Sequence, residues 1–397
     1  MVDIASNTLL HHQAHELLAL IEALNQSGSS LEDHFWEQRL NRAILALFAD
    51  EHSTVLEQLL DYLVLTDQAE RYDLLVNSIE ALAESHQLQH ANADYEVLLV
   101  TAPIVAWTRY QLPEGHLSNP QHEQLLSLFK SYAGPKAKVA LLGQLLSFDQ
   151  LPKNYAQTHQ LTAELAQLAL ADRPAIIELD HYDDGIHLLA DTKYIVGVIA
   201  VPKGAAPFAW QTQAQPLAAL ERHQRRWLEH CEQILAPLFI GCQAQYLTPN
   251  GFYFNNRASD KLMRPLAIQA AVHWLAEVTQ TETEAIKATI MRCGDQDIEE
   301  YRIGLSVEGY PDLLYGCVWP LFSLEEEDKS SAHYQDSLGQ IQQLLNTMGV
   351  SSIVILAGLF EPLMCEECQV PYFPTTDAQL LHPHLPDGLK LHPEPLH

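Results

Sequence analysis

Proline is absent from the first hundred residues of this chain, and glycine is almost absent there. All 21 prolines lie at or beyond Pro103, and Gly28 is the single glycine before that point. Both residues disfavour helix interiors, so their absence excludes a turn-rich N-terminal region. Apolar residues recur at helical spacing there, and Ser29-x-x-Glu32 is a capping-box pattern. We therefore predict an all-helical segment over residues 1–92, without strands.

Positive charge is also scarce. The chain has 22 Lys and Arg against 51 Asp and Glu, which gives a formal net charge of −29. A surface of this sign repels phosphates and anionic lipid headgroups. We therefore expect neither nucleic acid nor a membrane as the main partner.

Long apolar runs and a secretory cysteine pattern are missing too. Apolar runs such as Ile353–Leu356 are far shorter than a membrane span, and the first residues carry no basic stretch. Six cysteines scattered over 397 residues are typical of reduced thiols rather than a disulfide framework. We expect a cytoplasmic protein.

From Tyr95 onward, β-rich runs alternate with amphipathic helices, and one pattern recurs three times. Each copy has a tryptophan (Trp107, Trp210 or Trp319) about thirty residues before a closing strand. The recurring tryptophans indicate repeated core packing rather than a binding surface. The pattern predicts an α+β fold: a helical N-terminal segment followed by three pseudo-repeated hairpin–helix–strand units that form mixed sheets with packed helices. The predicted units are residues 93–183, 184–293 and 294–362, followed by a proline-rich tail over residues 363–397.

Six short motifs, in order along the chain, resemble those of one bacterial family. They are Trp107–Tyr110, Ser147–Pro152, Asp260–Pro265, Tyr301–Gly304, Tyr315–Leu321 and Cys365–Cys368. On these motifs the chain resembles the bacterial domain-of-unknown-function family 2863 over essentially its whole length. The resemblance implies no activity, substrate or catalytic residue. Family members usually carry glycine directly after the second cysteine of the last motif, where this chain has Gln369, and that departure argues against a zinc knuckle because glycine tolerates the positive φ of such turns.

The sharpest chemical signal is Cys365-x-x-Cys368, which precedes several histidines in the tail. Two thiolates at this spacing can bind one zinc ion, with His382 and His384 as candidate further ligands. The alternatives are two free thiols on a loop or a redox pair, which the prolines after Cys368 disfavour because redox C-x-x-C motifs open a helix.

A second candidate site lies at Lys261 and Arg264, just before a helix that we predict to begin at Pro265. Cations at a helix entrance can bind an anion, but the favoured explanation of the cluster is an N-cap by Ser259 or Asp260 with neighbouring salt bridges. The other candidate ligand-binding residues are Arg109, Asp149 and Arg302.

No phosphate-binding glycine loop, dinucleotide fingerprint or H-E-x-x-H motif occurs in the chain. The leading hypothesis is therefore a non-catalytic regulatory or scaffolding protein whose α+β body binds a ligand or partner. The alternative is an enzyme of unrecognised type with its site between the repeated units. An enzyme should bring titratable groups together in a pocket, whereas a scaffold should expose an apolar groove.

Overall fold

The computed structural model describes residues 12–49, 54–66, 68–108, 112–113, 115–175, 190–295, 297–310, 313–321, 336–365 and 370–383. The described part is α+β, as predicted, with two main sheets and helices packed on them. None of the helices described there is long and apolar enough to cross a bilayer.

Four helices form the N-terminal region: α1 (His12–Asn25), α2 (Ser30–Ala49), α3 (Thr54–Leu65) and α4 (Ala69–Ala83). They bury their apolar faces in a core of their own. Ser29 caps α2 as the sequence pattern predicts, because its Oγ accepts the Glu32 N–H at 3.3 Å. The prediction that no strand occurs before residue 93 is wrong, since β1 (Ser85–His90) forms a hairpin with β2 (Ala93–Trp107). The sequence of β1 is mostly polar because the strand pairs at a half-exposed edge of the sheet. It therefore lacks the apolar pattern by which a strand is recognised.

The first sheet is centred on two long antiparallel strands, β2 and β5 (Ala190–Pro202). The outer side of β5 pairs with β3 (Lys138–Leu141) and β4 (Leu146–Ser147). The outer side of β2 pairs with β1, β6 (Gln243–Tyr246) and β7 (Asn250–Gly251). One sheet face packs on α5 (Asn119–Tyr132) and α7 (Pro216–Leu235). The other face packs on α6 (Tyr155–Leu170) and on the start of α8 (Phe252–Thr279).

The three-unit repeat is not confirmed in the form predicted. Trp107 ends β2 and Trp319 lies in β10 (Tyr315–Pro320), but Trp210 lies in a short 3₁₀ helix (Ala209–Thr212) and follows no hairpin strand. The closing strands of the first two units are exchanged, because β3 pairs with β5 and β6 pairs with β2. Spacing along the chain predicts that a strand follows a helix, but it does not say which strand becomes its neighbour.

The second sheet has the order β10–β9–β8–β11, with β8 (Ile286–Cys293), β9 (Glu300–Val307) and β11 (Ser352–Phe360). It is mixed, because β11 runs parallel to β8 while the other pairs are antiparallel. The predicted boundary at residues 293/294 falls inside the β8–β9 hairpin, so β8 belongs to the third unit. One face of this sheet packs on α8 and α9 (Ser337–Thr347).

Helix α8 contacts both sheets. Its first residues pack on the first sheet and its second half packs on the second. The prediction that a helix begins at Pro265 is therefore wrong, because Pro265 lies inside a helix of 28 residues. A mid-helix proline removes the hydrogen bond to the carbonyl four residues earlier. Burial of the helix on both sides of Pro265 compensates for that loss.

The four N-terminal helices contact the two-sheet part of the chain through charged side chains of α4 and α8. Arg257 Nη1 donates to both carboxylate oxygens of Glu80, at 2.7 and 2.9 Å. Glu84 accepts the Tyr253 N–H at 3.0 Å, at the N-terminus of α8. Burial raises the Glu84 pKa from 4.5 to about 6, and the nearby negative charge of Glu80 adds to the rise. The hydrogen bond from Tyr253 acts in the opposite direction and lowers the pKa.

We expect Glu84 to make the protein less stable as pH rises from about 4.5 to about 6. The native carboxyl binds its proton more tightly than the unfolded one, so its stabilising contribution is present below that window and is lost above it. Glu84→Gln keeps an acceptor and removes the titration. It should raise the free energy of unfolding at about pH 7.5 by roughly 1–2 kcal/mol and leave it nearly unchanged at about pH 4. Urea unfolding of Glu84→Gln and of the exposed control Glu164→Gln measures this difference, and equal behaviour of the two variants would refute it.

Candidate functional site

A cleft of about 330 Å³ lies between α8, α9 and β10, and we call it the α8–α9 cleft. Helix α8 contributes Lys261, Arg264 and Pro265 to one wall, and Trp319 of β10 lines the cleft as well. The opposite wall is formed by residues of α9 that share one helix face: Gln340, Gln343, Leu344 and Thr347. The cleft thus combines two cations, an aromatic ring and uncharged polar groups.

Two cations line the cleft of a chain whose formal net charge is −29. None of the described residues that line it is a carboxylate, a histidine or a cysteine. The nearest acid in the sequence is Asp260, one turn before Arg264 on α8. Burial raises the Asp260 pKa from 3.8 to about 6, and the positive charge of Arg264 opposes that rise.

Trp319 gives the cleft an aromatic wall. Its side chain is 3% exposed, and the Arg264 guanidinium lies over its ring at 5.8 Å. Its buried indole Nε1–H has no acceptor in the part of the chain that the structure describes. A buried donor without an acceptor costs roughly 1–3 kcal/mol.

A polar cluster adjoins the cleft through Asp260. Tyr194 of β5 shares a 3.0 Å hydrogen bond with Ser259, and the Asp260 charge helps to raise the Tyr194 pKa, after the larger effect of burial. On the same strand, the neighbouring residue Lys193 has its Nζ 3.0 Å from Asp191 Oδ2, and both side chains are about nine-tenths buried. Burial also raises the Asp191 pKa, against the attraction of Lys193. The Tyr194–Ser259 hydrogen bond therefore joins the first sheet to α8.

The five predicted ligand-binding residues do not form one site. Lys261 and Arg264 both line the cleft. They lie in the middle of α8 and not at the N-terminus of a helix, where the sequence predicted them. Asp149 is an exposed residue whose charge contributes to the raised Asp191 pKa, so it lies beside the polar cluster. Arg109 lies outside the described residues. Arg302 belongs to a different part of the molecule.

Arg302 holds the C-terminal segment (described over residues 361–365 and 370–383) against the second sheet. Its Nε donates to Glu300 at 2.6 Å, and its Nη1 donates to the carbonyls of Leu363 and Tyr372, the latter at 3.0 Å. The side chain is 2% exposed. With its donors committed to the protein's own carbonyls, Arg302 acts as a structural residue and not as a ligand-binding one.

Two glycines make room for the same segment. Gly304 and Gly316 lie opposite each other on β9 and β10. A Cβ on Gly304 would lie 2.0 Å from the Pro374 carbonyl oxygen, and one on Gly316 would lie 2.3 Å from the Phe373 ring. Phe373 and Pro374 form strand β12, which pairs with β13 (Leu380–Leu381). Arg302 and Gly304 belong to the motif Tyr301–Gly304, and Gly316 belongs to the motif Tyr315–Leu321. All three residues contact the C-terminal segment or leave room for it.

The C-x-x-C loop is described only in part. Cys368 and His384 lie outside the described residues. The Cys365 N–H donates to the Val370 carbonyl at 2.9 Å, which closes the loop, and His382 Nδ1 lies 2.9 Å from the Pro383 oxygen. Among the described residues, no group of three or more His, Cys, Asp or Glu is placed to hold a metal.

Two further cysteines are buried thiols in the second sheet. Burial raises the pKa of Cys293 to about 11 and that of Cys317 to about 12. The Cys317 thiol donates to the Ala267 carbonyl at 3.7 Å. Their thiols therefore stay protonated at neutral pH, which disfavours them as metal ligands.

The sequence did not indicate the α9 wall, and the recurring tryptophans indicated only a core position for Trp319. Trp319 does belong to the core of the second sheet, yet it also lines the cleft. Gln340, Gln343 and Thr347 follow the 3, 4 and 7 spacing of one helix face, which is the only signal that could have grouped them. Nothing in the sequence placed that face opposite Lys261.

Two other grooves occur between neighbouring helices. The α5–α7 groove is lined mainly by polar residues, including Ser127, Arg226 and His230. The α1–α2 groove is lined by leucines, alanines and polar residues, including Leu17 and Arg39. Both lie between two surface helices, whereas the α8–α9 cleft is formed by three elements and has a buried aromatic wall.

Comparison with known proteins gives one match. The model of a family described as "Protein of unknown function (DUF2863)" matches residues 4–395. No curated protein and no solved structure matches the chain.

Proposed function

We propose that this chain, which belongs to the DUF2863 family of proteins of unknown function, is a non-catalytic regulatory or scaffolding protein of the cytoplasm that binds a small molecule in the α8–α9 cleft. The observation that carries the proposal is the composition of that cleft. Cations, amides and an indole converge on a concave space whose size suits a small ligand. The described lining residues include no carboxylate, histidine or cysteine, so the cleft is better equipped to hold a ligand than to transform one.

The position of the cleft supports a regulatory role. Its walls come from α8, which contacts both sheets, and from α9 and β10 of the second sheet. A ligand that contacts these elements together stabilises their packing. Ligand occupancy can therefore affect how the two halves of the body are held together.

A cleft-filling variant tests the proposal. Gln343 is an exposed residue of the α9 wall, and Asn346 is exposed on the same helix but does not line the cleft. Gln343→Trp should remove a copurified small molecule, or weaken its binding by about tenfold or more, because the indole occupies the cleft. Native mass spectrometry of the untagged, full-length protein measures the bound fraction. Asn346→Trp should retain the ligand, and equal retention by both variants would refute the site.

An enzyme of unrecognised type remains the second candidate, and the polar cluster favours it. Asp260, whose pKa burial raises to about 6, lies beside both the cleft and the Tyr194–Ser259 pair. A carboxyl group that titrates near pH 6 can act as a general acid or base. Recovery of a chemically altered ligand from the wild type but not from Asp260→Asn would favour this candidate over simple binding.

Zinc at Cys365 and Cys368 stays a prediction. If the two thiolates bind the metal, untagged protein should contain about one equivalent, and Cys365→Ser should lose it. The Arg302 contacts already hold the C-terminal segment in place, so loss of zinc should leave the remaining fold intact. Elemental analysis decides the question, and less than about a tenth of an equivalent in both proteins would remove the site.

A further inference from the structure

The exposed surface of α7 separates its charged residues into two stripes. The first, which we call the basic stripe, consists of Arg222, Arg226, His230 and Gln233. The second has the same spacing one residue earlier and consists of Glu221, Arg225, Glu229 and Glu232. Residues at intervals of three and four lie on one helix face. All the acids of α7 therefore lie on the second stripe, and the basic stripe has none.

The basic stripe borders the α5–α7 groove. The two helices run antiparallel, because Gln121 Nε2 of α5 donates to the Ile234 carbonyl at 3.3 Å near one end, and the Tyr132 and His223 rings contact each other near the other. The groove has a volume of about 370 Å³. It is lined by Arg226, His230, Gln233 and Ile234 of α7 and by Gln124, Ser127, Leu128 and Ser131 of α5. None of these described residues is a carboxylate.

The arginines of the basic stripe are not neutralised by described residues of the chain. Arg222 and Arg226 make no ion pair in the part of the chain that the structure describes, whereas Arg257 of α8 pairs with Glu80. Burial lowers the pKa of His223, and the positive charges of Arg222 and Arg226 lower it further. In a chain with 51 acidic and 22 basic residues, these two arginines therefore form a positive surface that an external anion can reach.

The spacing of the cations matches an extended peptide. Helix residues four apart are separated by roughly 6 Å along the axis, and side chains on one side of an extended peptide repeat about every 6.5–7 Å. A peptide that lies along α7 can thus place acidic side chains at alternate positions opposite Arg222, Arg226 and His230. The His230 Nδ1 donates to the Arg226 carbonyl at 2.8 Å, which leaves Nε2 for the peptide. The Ser127 and Ser131 hydroxyls on the α5 wall can bind its backbone.

Other anionic partners suit the groove less well. The three cations extend over about 12 Å of helix, which matches only a few negative charges. The net charge of −29 repels a long polyanion such as a nucleic acid, and it repels a second copy of the chain for the same reason. Arginine binds carboxylates in a planar, bidentate geometry, and arginine clusters are a common means of recognising acidic peptide motifs.

We propose that the α5–α7 groove docks an extended acidic segment of a partner protein, with glutamate or aspartate at alternate positions opposite Arg222, Arg226 and His230. The groove shares no lining residue with the α8–α9 cleft. The proposal therefore goes beyond the small-molecule site and does not depend on it.

Three fluorescent probes of equal charge test the class of partner. The first is a capped peptide in which three glutamates alternate with serines. The second has the same residues with the glutamates consecutive, and the third is a single-stranded RNA with three phosphates. Fluorescence anisotropy at about 0.15 M salt measures their binding to the full-length protein. We expect the alternating peptide to bind at least about threefold more tightly than either other probe.

Two adjacent arginines provide a matched pair of variants. Arg226→Gln should weaken binding of the alternating peptide about threefold to fivefold, which corresponds to one exposed ion pair. Arg225→Gln makes the same charge change at the next residue of α7, which is exposed, belongs to the second stripe and does not line the groove. It should change binding by less than about 1.5-fold, because the salt screens exposed charges away from the groove. Thermal unfolding should be the same for both variants.

Each contrary result identifies a different error. Absence of binding by the alternating peptide at millimolar concentration, or equal weakening by Arg226→Gln and Arg225→Gln, would overturn the docking site. Equal binding of the two peptides would overturn the extended arrangement along α7. Tighter binding of the RNA would replace the acidic segment by a nucleic acid. A concentration-dependent doubling of mass in light scattering, lost in Arg226→Gln, would replace it by a second copy. The α8–α9 cleft is tested separately by Gln343→Trp, so none of these results decides the proposed function.

Discussion

Replacement of Arg302 by methionine should destabilise the protein by about 3–5 kcal/mol and release the C-terminal segment. The guanidinium is buried, pairs with Glu300 and donates to the carbonyls of Leu363 and Tyr372. Methionine keeps much of the volume and removes every donor, so the carbonyls and the Glu300 carboxylate lose their partner. Urea unfolding measures the loss of stability, and hydrogen exchange over residues 361–383 measures release of the segment.

A neighbouring arginine provides the matched control. Arg292 lies on the adjacent strand β8, is partly exposed and donates a single long bond of 3.4 Å to the Leu356 carbonyl. Arg292→Met should cost about 1 kcal/mol or less. Arg302→Met/Glu300→Gln should recover part of the lost stability because it removes the uncompensated charge. An Arg302→Met variant as stable as Arg292→Met, with unchanged exchange in the segment, would show that the contacts are not needed.

Gly304→Ala should cost about 1–3 kcal/mol through steric conflict with the same segment. The added Cβ would lie 2.0 Å from the Pro374 carbonyl oxygen, which is more than 1 Å closer than van der Waals contact allows. The relevant neighbour is backbone, so the segment must shift as a unit. Gly143→Ala is the control, because a Cβ there meets nothing within 4 Å, and it should change stability by less than about 0.5 kcal/mol.

The losses of stability caused by Arg302→Met and by Gly304→Ala should not be additive. Arg302→Met and Gly304→Ala both weaken the attachment of the C-terminal segment, so the second change has less left to disrupt. The double variant should lose less stability than the sum of the single losses. Additive losses would mean that the two residues act on separate parts of the structure. Thermal and urea unfolding of the four proteins in this cycle provide the measurement.

The candidate site was only partly predictable from the sequence. Charge and spacing singled out Lys261 and Arg264, because two cations one turn apart are visible in any local pattern. Arg302 carried the same charge signal, yet its donors are used by Leu363 and Tyr372, about sixty and seventy residues later. A local pattern records that a cation is present but not which carbonyls it will meet.

The sequence by itself determined the α+β class, the helical character of the described residues between 12 and 83, and the position of most helices and strands. These features depend on residue spacing and on caps such as Ser29, which act over a few residues. Only the tertiary structure decided that β3 pairs with β5 and β6 with β2, that β1 extends the first sheet, and that α8 continues through Pro265. Strand pairing joins residues far apart in the chain, and packing on both sheets outweighs the local cost of a proline. The α8–α9 cleft exists for the same reason, because its two walls are about eighty residues apart and come together only when both helices pack on one sheet.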